Sequence, residues 1–297
     1  AGGNLERSIP INAPCPTMIH DCAVTETFVV MFDFPLTLRT SRFLRNEFPV
    51  QYEPSHGARI GLLPIKATTD SDIIWFDVLP GVVLHAANAY NRASDGNVVI
   101  HVLRSEPDPK ESYLETYASS YLYEYVLDPK SRTVVSEKCL NKRHVLEFTM
   151  INAAFTGKPV DHVYCNSVSS ICSPLEVFKM PRTGILLDGI VKLSLREDGD
   201  SKGQVLGQYT LPDRFFGVSE PTVVPKTSGN GEYIVLIGTY IPSGASSWQD
   251  LSNNELHSRV IILDGDTMDS VWSRDLPHHV NYGLHSEFIP WDIMSAE

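Results

Sequence analysis

Hydrophobic residues along the chain recur with a period near two or gather in short runs of Val, Ile, Tyr and Phe, and Gly, Pro, Asn and Asp punctuate them. A period of two places alternate side chains on one face of an extended strand, so the pattern predicts β-structure. Strands are predicted at 28–32, 59–63, 73–78, 82–89, 98–103, 117–127, 145–151, 184–195, 204–211, 233–241 and 259–263. The three-to-four-residue spacing of an amphipathic helix occurs only in short pieces, the best at 106–117. Segments rich in Gly, Pro, Ser or charge predict loops at 46–57, 92–97, 128–132, 196–203, 227–232 and 243–255. The fold class expected is therefore all-β, and many short, evenly spaced strands suit either two sandwiches or one propeller-type array. No stretch is long or biased enough to be an interdomain linker, so residues 1–297 read as a single domain.

With 42% hydrophobic and 20% charged residues, the composition excludes a disordered chain, a collagen and a coiled coil. Lys and Arg number 24 against 36 Asp and Glu, a net charge of −12. A nucleic-acid partner is not expected, because that affinity rests on neutralising phosphates with a basic field. No uninterrupted apolar run approaches the roughly 18 to 20 residues of a spanning helix. Peripheral contact with a membrane stays open, since an apolar patch is assembled in three dimensions and leaves no run in the sequence. The opening residues AGGNLERS hold neither an initiator Met nor a basic-then-apolar signal pattern, which reads as a start within a longer protein, after processing or at an artificial boundary. The five cysteines, Cys15, Cys22, Cys139, Cys165 and Cys172, form no C-x-x-C pair, and no Asn-x-Ser/Thr sequon is present. That usage favours free thiols in a reducing, intracellular compartment, cytoplasm or plastid.

Phosphate-loop, serine-elbow, H-E-x-x-H and Cys-rich zinc patterns are all missing from the sequence. What remains is a set of histidines in apolar surroundings: His20 in MIHDCAVTE, His85 at the end of WFDVLPGVVLH, and His285 in VNYGLHSEFIP. A histidine in an apolar strand is costly unless its nitrogens have partners, and both a hydrogen-bonded core role and metal ligation satisfy that need. His56, His101, His144, His162, His257, His278 and His279 fall in loops or polar contexts and are expected to be solvated, without a role.

Four segments, in order from residue 18 to residue 290, carry a resemblance to the carotenoid cleavage oxygenases, the family of the retinal pigment epithelial membrane protein. MIHDCAVTE resembles the family's Met-x-His-Asp-Phe-Ala-x-Thr-Glu. WFDVLPGVVLHAANAYN resembles Trp-Phe-x-x-Pro followed by His-x-x-Asn-Ala, and SEPTVVPK resembles Gly-Glu-Pro-x-Phe-Val-Pro. The end of the chain resembles the closing Asp-x-x-Thr-Met, then Pro-x-x-Val-Pro-Tyr-Gly-Phe-His-Gly. The resemblance implies a seven-bladed β-propeller with Fe(II) on its axis, held by four His whose other ring nitrogens are oriented by Glu residues. On this chain it makes His20, His85 and His285 metal ligands, and Glu147 and Glu220 carboxylate partners of those imidazoles.

The steps from His20 to His85, Glu147, Glu220 and His285 are 65, 62, 73 and 65 residues, near-even as one inner-strand residue per blade requires. The family's remaining His and Glu belong upstream of residue 1, so the chain is expected to hold about five blades and to be inactive alone. Departures from the family pattern are Cys22 for Phe, Asn91 for an acidic residue, and Ser286 for the Gly after the last His. The activity implied is Fe(II)-dependent cleavage of a conjugated carbon–carbon double bond by dioxygen, the substrate an apolar polyene such as a carotenoid or apocarotenoid. Rivals are a stilbene-cleaving enzyme or an isomerohydrolase of the same family, a metal-free propeller acting as a binding module, and a three-His zinc hydrolase.

Overall fold

The computed structural model describes residues 5–107, 120–167, 187, 189–197, 201–212, 214–227, 229, 231–241, 256–281, 283 and 285–290. The described elements are almost entirely strands, in agreement with the alternating pattern. Contacts divide the chain into two compact units, one of residues 1–119, 123–139 and 156–159, the other of residues 120–122, 140–155 and 160–297.

In the first unit one antiparallel sheet has the order β1 (Cys22–Val24), β2 (Phe28–Asp33), β5 (Ala58–Pro64) and β6 (Ile74–Val78). The hairpin β3 (Leu36–Leu38) and β4 (Val50–Tyr52) interrupts it, with a 3-10 helix, Thr40–Arg45, between its strands. A second sheet runs β10 (Thr133–Asn141), β9 (Ser120–Asp128), β8 (Val98–Ser105) and β7 (Val82–Asn91), its ends at Ser120–Leu122 and Leu140–Asn141 counting with the other unit. Every residue of β8, VVIHVLRS, is buried at its interior place in the sheet, His101 and Arg104 included. Arg104 lies in it with its guanidinium on Glu137, on the Tyr125 hydroxyl at 3.3 Å and on the Pro80 carbonyl at 3.0 Å, which is how a buried cation is accommodated.

In the second unit one sheet has the order β11 (Leu146–Met150), β12 (His162–Ser167), β13 (Gly189–Ser194) and β14 (Val205–Thr210). The other has the order β15 (Phe215–Val218), β17 (Glu232–Tyr240), β18 (His257–Asp264) and β19 (Ser270–Asp275), and β16 (Thr222–Pro225) also pairs with β17. Phe148, Tyr164, Ile190, Phe215, Ile234 and Leu263 belong to one buried apolar cluster of this unit.

Each predicted strand overlaps an observed one, with Tyr117–Ser119 and most of 184–188 outside the described residues. The predicted helix at 106–117 lies outside them from residue 108 onward, and the predicted loop at 243–255 lies wholly outside. One expectation is corrected: 46–57 is not all loop, because Val50–Tyr52 pairs with Leu36–Leu38 as β4. Strands β10, β12 and β19 escape the sequence pattern for an identifiable reason. TVVSEKCLN and SVWSRD stand at sheet edges and carry polar residues on exposed faces, and HVYCNS is a buried strand that holds polar side chains.

Candidate metal centre

His20 precedes β1 on irregular chain that is tied to the β3 hairpin by the Met18 N–H on the Leu36 carbonyl and by a Thr17–Thr37 bridge. Its Nδ1 lies 2.9 Å from the Leu84 carbonyl oxygen. A carbonyl only accepts, so Nδ1 carries the proton and Nε2 is the lone-pair nitrogen, the arrangement a metal-ligating imidazole needs. Asp21 completes the attachment. One carboxylate oxygen accepts from the Ala86 N–H at 2.8 Å and the other from the Cys22 N–H at 2.7 Å, so the backbone beside His20 is bound to the backbone beside His85.

His85 sits in the middle of β7, 9% exposed, opposite Leu103 of β8. The β7–β8 register shifts between Val83 and His85 and again between Ala86 and Asn88. Bulges on both sides of one residue re-aim its side chain relative to a regular strand. The His20 and His85 rings meet edge to face, their centroids 5.0 Å apart at 88°.

In the second unit His285 stands on irregular chain after β19 with its side chain 55% exposed. Its Nδ1 lies 3.3 Å from Glu220 Oε1. Glu220, only 5% exposed, also accepts the Ser286 N–H on Oε2 at 2.8 Å. An ionised carboxylate accepts only, which again leaves Nε2 of His285 as the lone-pair nitrogen. The Phe148 ring packs edge to face on His285 at 5.6 Å.

Glu147 is buried on β11 at 4% exposure, and its Oε2 accepts the Phe148 N–H at 3.2 Å. The β11–β12 register shifts there, and Phe148 takes a left-handed φ of 49°. Burial first, and the nearby Glu147 carboxylate second, push the Cys165 thiol far above its ordinary range.

The structure thus brings His20 together with His85, and Glu220 together with His285. His20 and His85 in the first unit and His285 in the second each offer one ring nitrogen as a possible metal ligand. The donor chemistry fits Fe(II): neutral imidazole nitrogens suit it, and partners at Nδ1 of His20 and His285 hold the required tautomer.

Two histidines expected to be solvated are not. His101 has no exposed surface, and its Nε2 pairs with Glu124 at 2.9 Å inside the second sheet of the first unit. His162 pairs through Nε2 with the buried Glu232, also at 2.9 Å. Polar neighbours in sequence misled the reading because alternate residues of a strand face opposite ways. The place of Asp21 beside His20 in that segment is a usable sequence signal; the Leu84 carbonyl carries no side-chain signal at all.

Over 305 residues the chain is 27% identical to a carotenoid 9,10(9',10')-cleavage dioxygenase of Arabidopsis thaliana, covering 97% of this chain and 51% of that protein. It is 30% identical over 290 residues to a chloroplastic 9-cis-epoxycarotenoid dioxygenase of the same plant, covering 97% and 45% respectively. The chain therefore spans about half the length of the curated relatives it matches. Among solved structures, the lignostilbene dioxygenase of Pseudomonas brassicacearum aligns with a TM-score of 0.70 at 20% identity, over 94% of this chain and 56% of that one. A variant of the Synechocystis apocarotenoid oxygenase aligns with a TM-score of 0.68 at 21% identity, over 91% and 53%. These likenesses support the propeller fold expected from the sequence. With a match to the family's sequence profile over residues 1–290, the chain belongs to the retinal pigment epithelial membrane protein family.

Proposed function

We propose that the protein is an Fe(II)-dependent dioxygenase that cleaves a conjugated double bond of a carotenoid or apocarotenoid into two carbonyl products, with His20, His85 and His285 as metal ligands. The observation that carries this reading is the preparation of the imidazoles. Nδ1 of His20 and of His285 each has an acceptor of its own, and the His20 ring stands edge to face against His85. The His20 and His285 rings are thereby held with Nε2 as the lone-pair nitrogen, the atom a metal ion would take. When bound, Fe(II) would supply the means of activating dioxygen towards an alkene. The chain's own part is to hold neutral imidazoles at fixed tautomer, to lock the backbone beside His20 and His85 through Asp21, and to present the Phe148 ring as an apolar neighbour of His285. Membership of the family and the names of its curated relatives favour a polyene over a stilbene-like substrate, and dioxygen as the second substrate. The reading extends to a fourth imidazole outside these 297 residues, so turnover by this chain alone is not expected.

The test is anaerobic Fe(II) titration of the chain and of His20→Ala, His85→Ala and His285→Ala. Each substitution should weaken binding at least 10-fold. Equal affinity in all four proteins, or tight binding of Zn(II) together with ester or amide hydrolysis, would overturn the assignment.

An apolar substrate has to leave a bilayer, and one feature suits contact with its surface. The 3-10 helix Thr40–Arg45 carries Phe43 and Leu44 outward at 64% and 90% exposure, with Phe48 at 57% beyond it. Because the net charge of −12 opposes an anionic surface, the contact rests on apolar burial and is expected with uncharged phosphatidylcholine vesicles. Co-sedimentation should be lost in F43D/L44D; undiminished co-sedimentation of that variant would refute the contact.

A further inference from the structure

The chain from residue 276 onward contains no strand among its described residues, so nothing in a sheet ladder fixes the direction of His285. Two side-chain clasps stand in for a ladder. Upstream, Ser258, with no exposed surface, donates from Oγ to the Val280 carbonyl at 3.2 Å and accepts the Val280 N–H at 2.9 Å. Downstream, Ser286 is held three ways: its N–H on Glu220 Oε2 at 2.8 Å, its Oγ 3.2 Å from the Glu220 carbonyl, and its Oγ 2.6 Å from Thr222 Oγ1. The carbonyl can only accept, so the Ser286 hydroxyl donates to it, and Thr222 Oγ1 donates to Ser286 Oγ. Thr222 is itself fixed, as the first residue of β16 opposite Val235 of β17. By contrast the Glu220 contact to the imidazole is long, at 3.3 Å. The direction of His285 is therefore set more by the backbone at residue 286 than by the carboxylate on its ring.

We propose that the Ser286 hydroxyl, donating to the Glu220 carbonyl and accepting from Thr222, is a positioning group that fixes the direction of the His285 imidazole. The proposal rests on the reading of His285 as a metal ligand. It concerns a place where the chain departs from the pattern it resembles, because Gly at 286 has no hydroxyl and leaves the backbone freer.

The test uses Co(II) as probe on the 297-residue chain and on S286A, T222V, the S286A/T222V double variant, S286T and H285A. Affinity and the visible absorption band of bound Co(II) are read, along with the thermal midpoint of each metal-free protein. T222V should weaken Co(II) binding about fivefold, the worth of one neutral hydrogen bond, and S286A at least as much, each altering the band. The double variant should lose no more than S286A, because S286A already removes the bond from Thr222. S286T should restore affinity, and metal-free midpoints should barely move. The positioning role is overturned if H285A loses Co(II) binding while S286A and T222V keep full affinity and an unaltered band. It is also overturned if the metal-free midpoints of S286A and T222V fall in step with affinity, as a merely structural role requires. Unchanged binding in H285A overturns the ligand reading, and the positioning proposal with it.

Discussion

Glu232 shows how a single carboxylate in this fold becomes sensitive to pH. It is 6% exposed and accepts hydrogen bonds from the Tyr164 hydroxyl and from His162 Nε2, each at 2.9 Å. Burial by itself raises a carboxyl pKa, but the bonds from His162 and Tyr164 outweigh it, and Glu232 titrates below its ordinary value of 4.5. The folded value lies below the unfolded one, so the stabilisation is fully present above about pH 4.5 and is lost as the pH falls through the lower, folded value. Denaturant midpoints measured from about pH 5 to about pH 3 should therefore fall more steeply for the wild-type chain than for Glu232→Gln. Parallel curves would show that Glu232 contributes nothing to acid sensitivity. The pairing of His162 with Glu232 was invisible in sequence, because the two residues stand 70 positions apart and only the packing of β12 against the β17 region makes them partners.

At the scale of elements, Gly203 lies between β13 and β14, where the chain must turn in little space. Its φ is +81°, and a Cβ there would collide with the Leu140 carbonyl. Its own carbonyl accepts the Asn141 side chain at 2.9 Å. Gly203→Ala combines left-handed strain with overpacking and should cost about 3 kcal/mol. Gly229 has a similar φ of +85° but nothing within 4 Å, so Gly229→Ala should cost only about 1 kcal/mol. Equal losses in chemical denaturation would show that the collision at Gly203 is relieved without cost. Central strands such as β8 were legible in the sequence, because burial on both faces favours short runs of Val, Ile and Leu such as Val98–Ile100. Edge strands were not: β19, exposed throughout, is held by its ladder to β18 and by the Arg259–Asp275 ion pair across that ladder.

At the scale of the whole molecule, binding a metal at the proposed ligands should stabilise the fold by mass action. Free Fe(II) at 100 times its dissociation constant adds about 2.7 kcal/mol if the unfolded chain does not bind it. Thermal unfolding under anaerobic conditions should show this increment in the wild-type chain and lose it in His85→Ala. An equal increment in both proteins would place the ion elsewhere. Among the described residues no helix is long and apolar enough to cross a membrane.

The sequence by itself determined the all-β class, most central strands, the acidic balance and the order of the motif residues, because periodicity and composition are local properties that a strand inherits directly. It also singled out His20, His85, His285, Glu147 and Glu220, through segments that resemble a family. Only the tertiary structure decided that the Leu84 carbonyl holds His20 Nδ1, that bulges flank His85, and that Ser286 is held by Glu220 and Thr222. Those contacts join residues about 64 to 66 positions apart, or depend on backbone atoms common to every residue, and one-dimensional patterning carries neither kind of information.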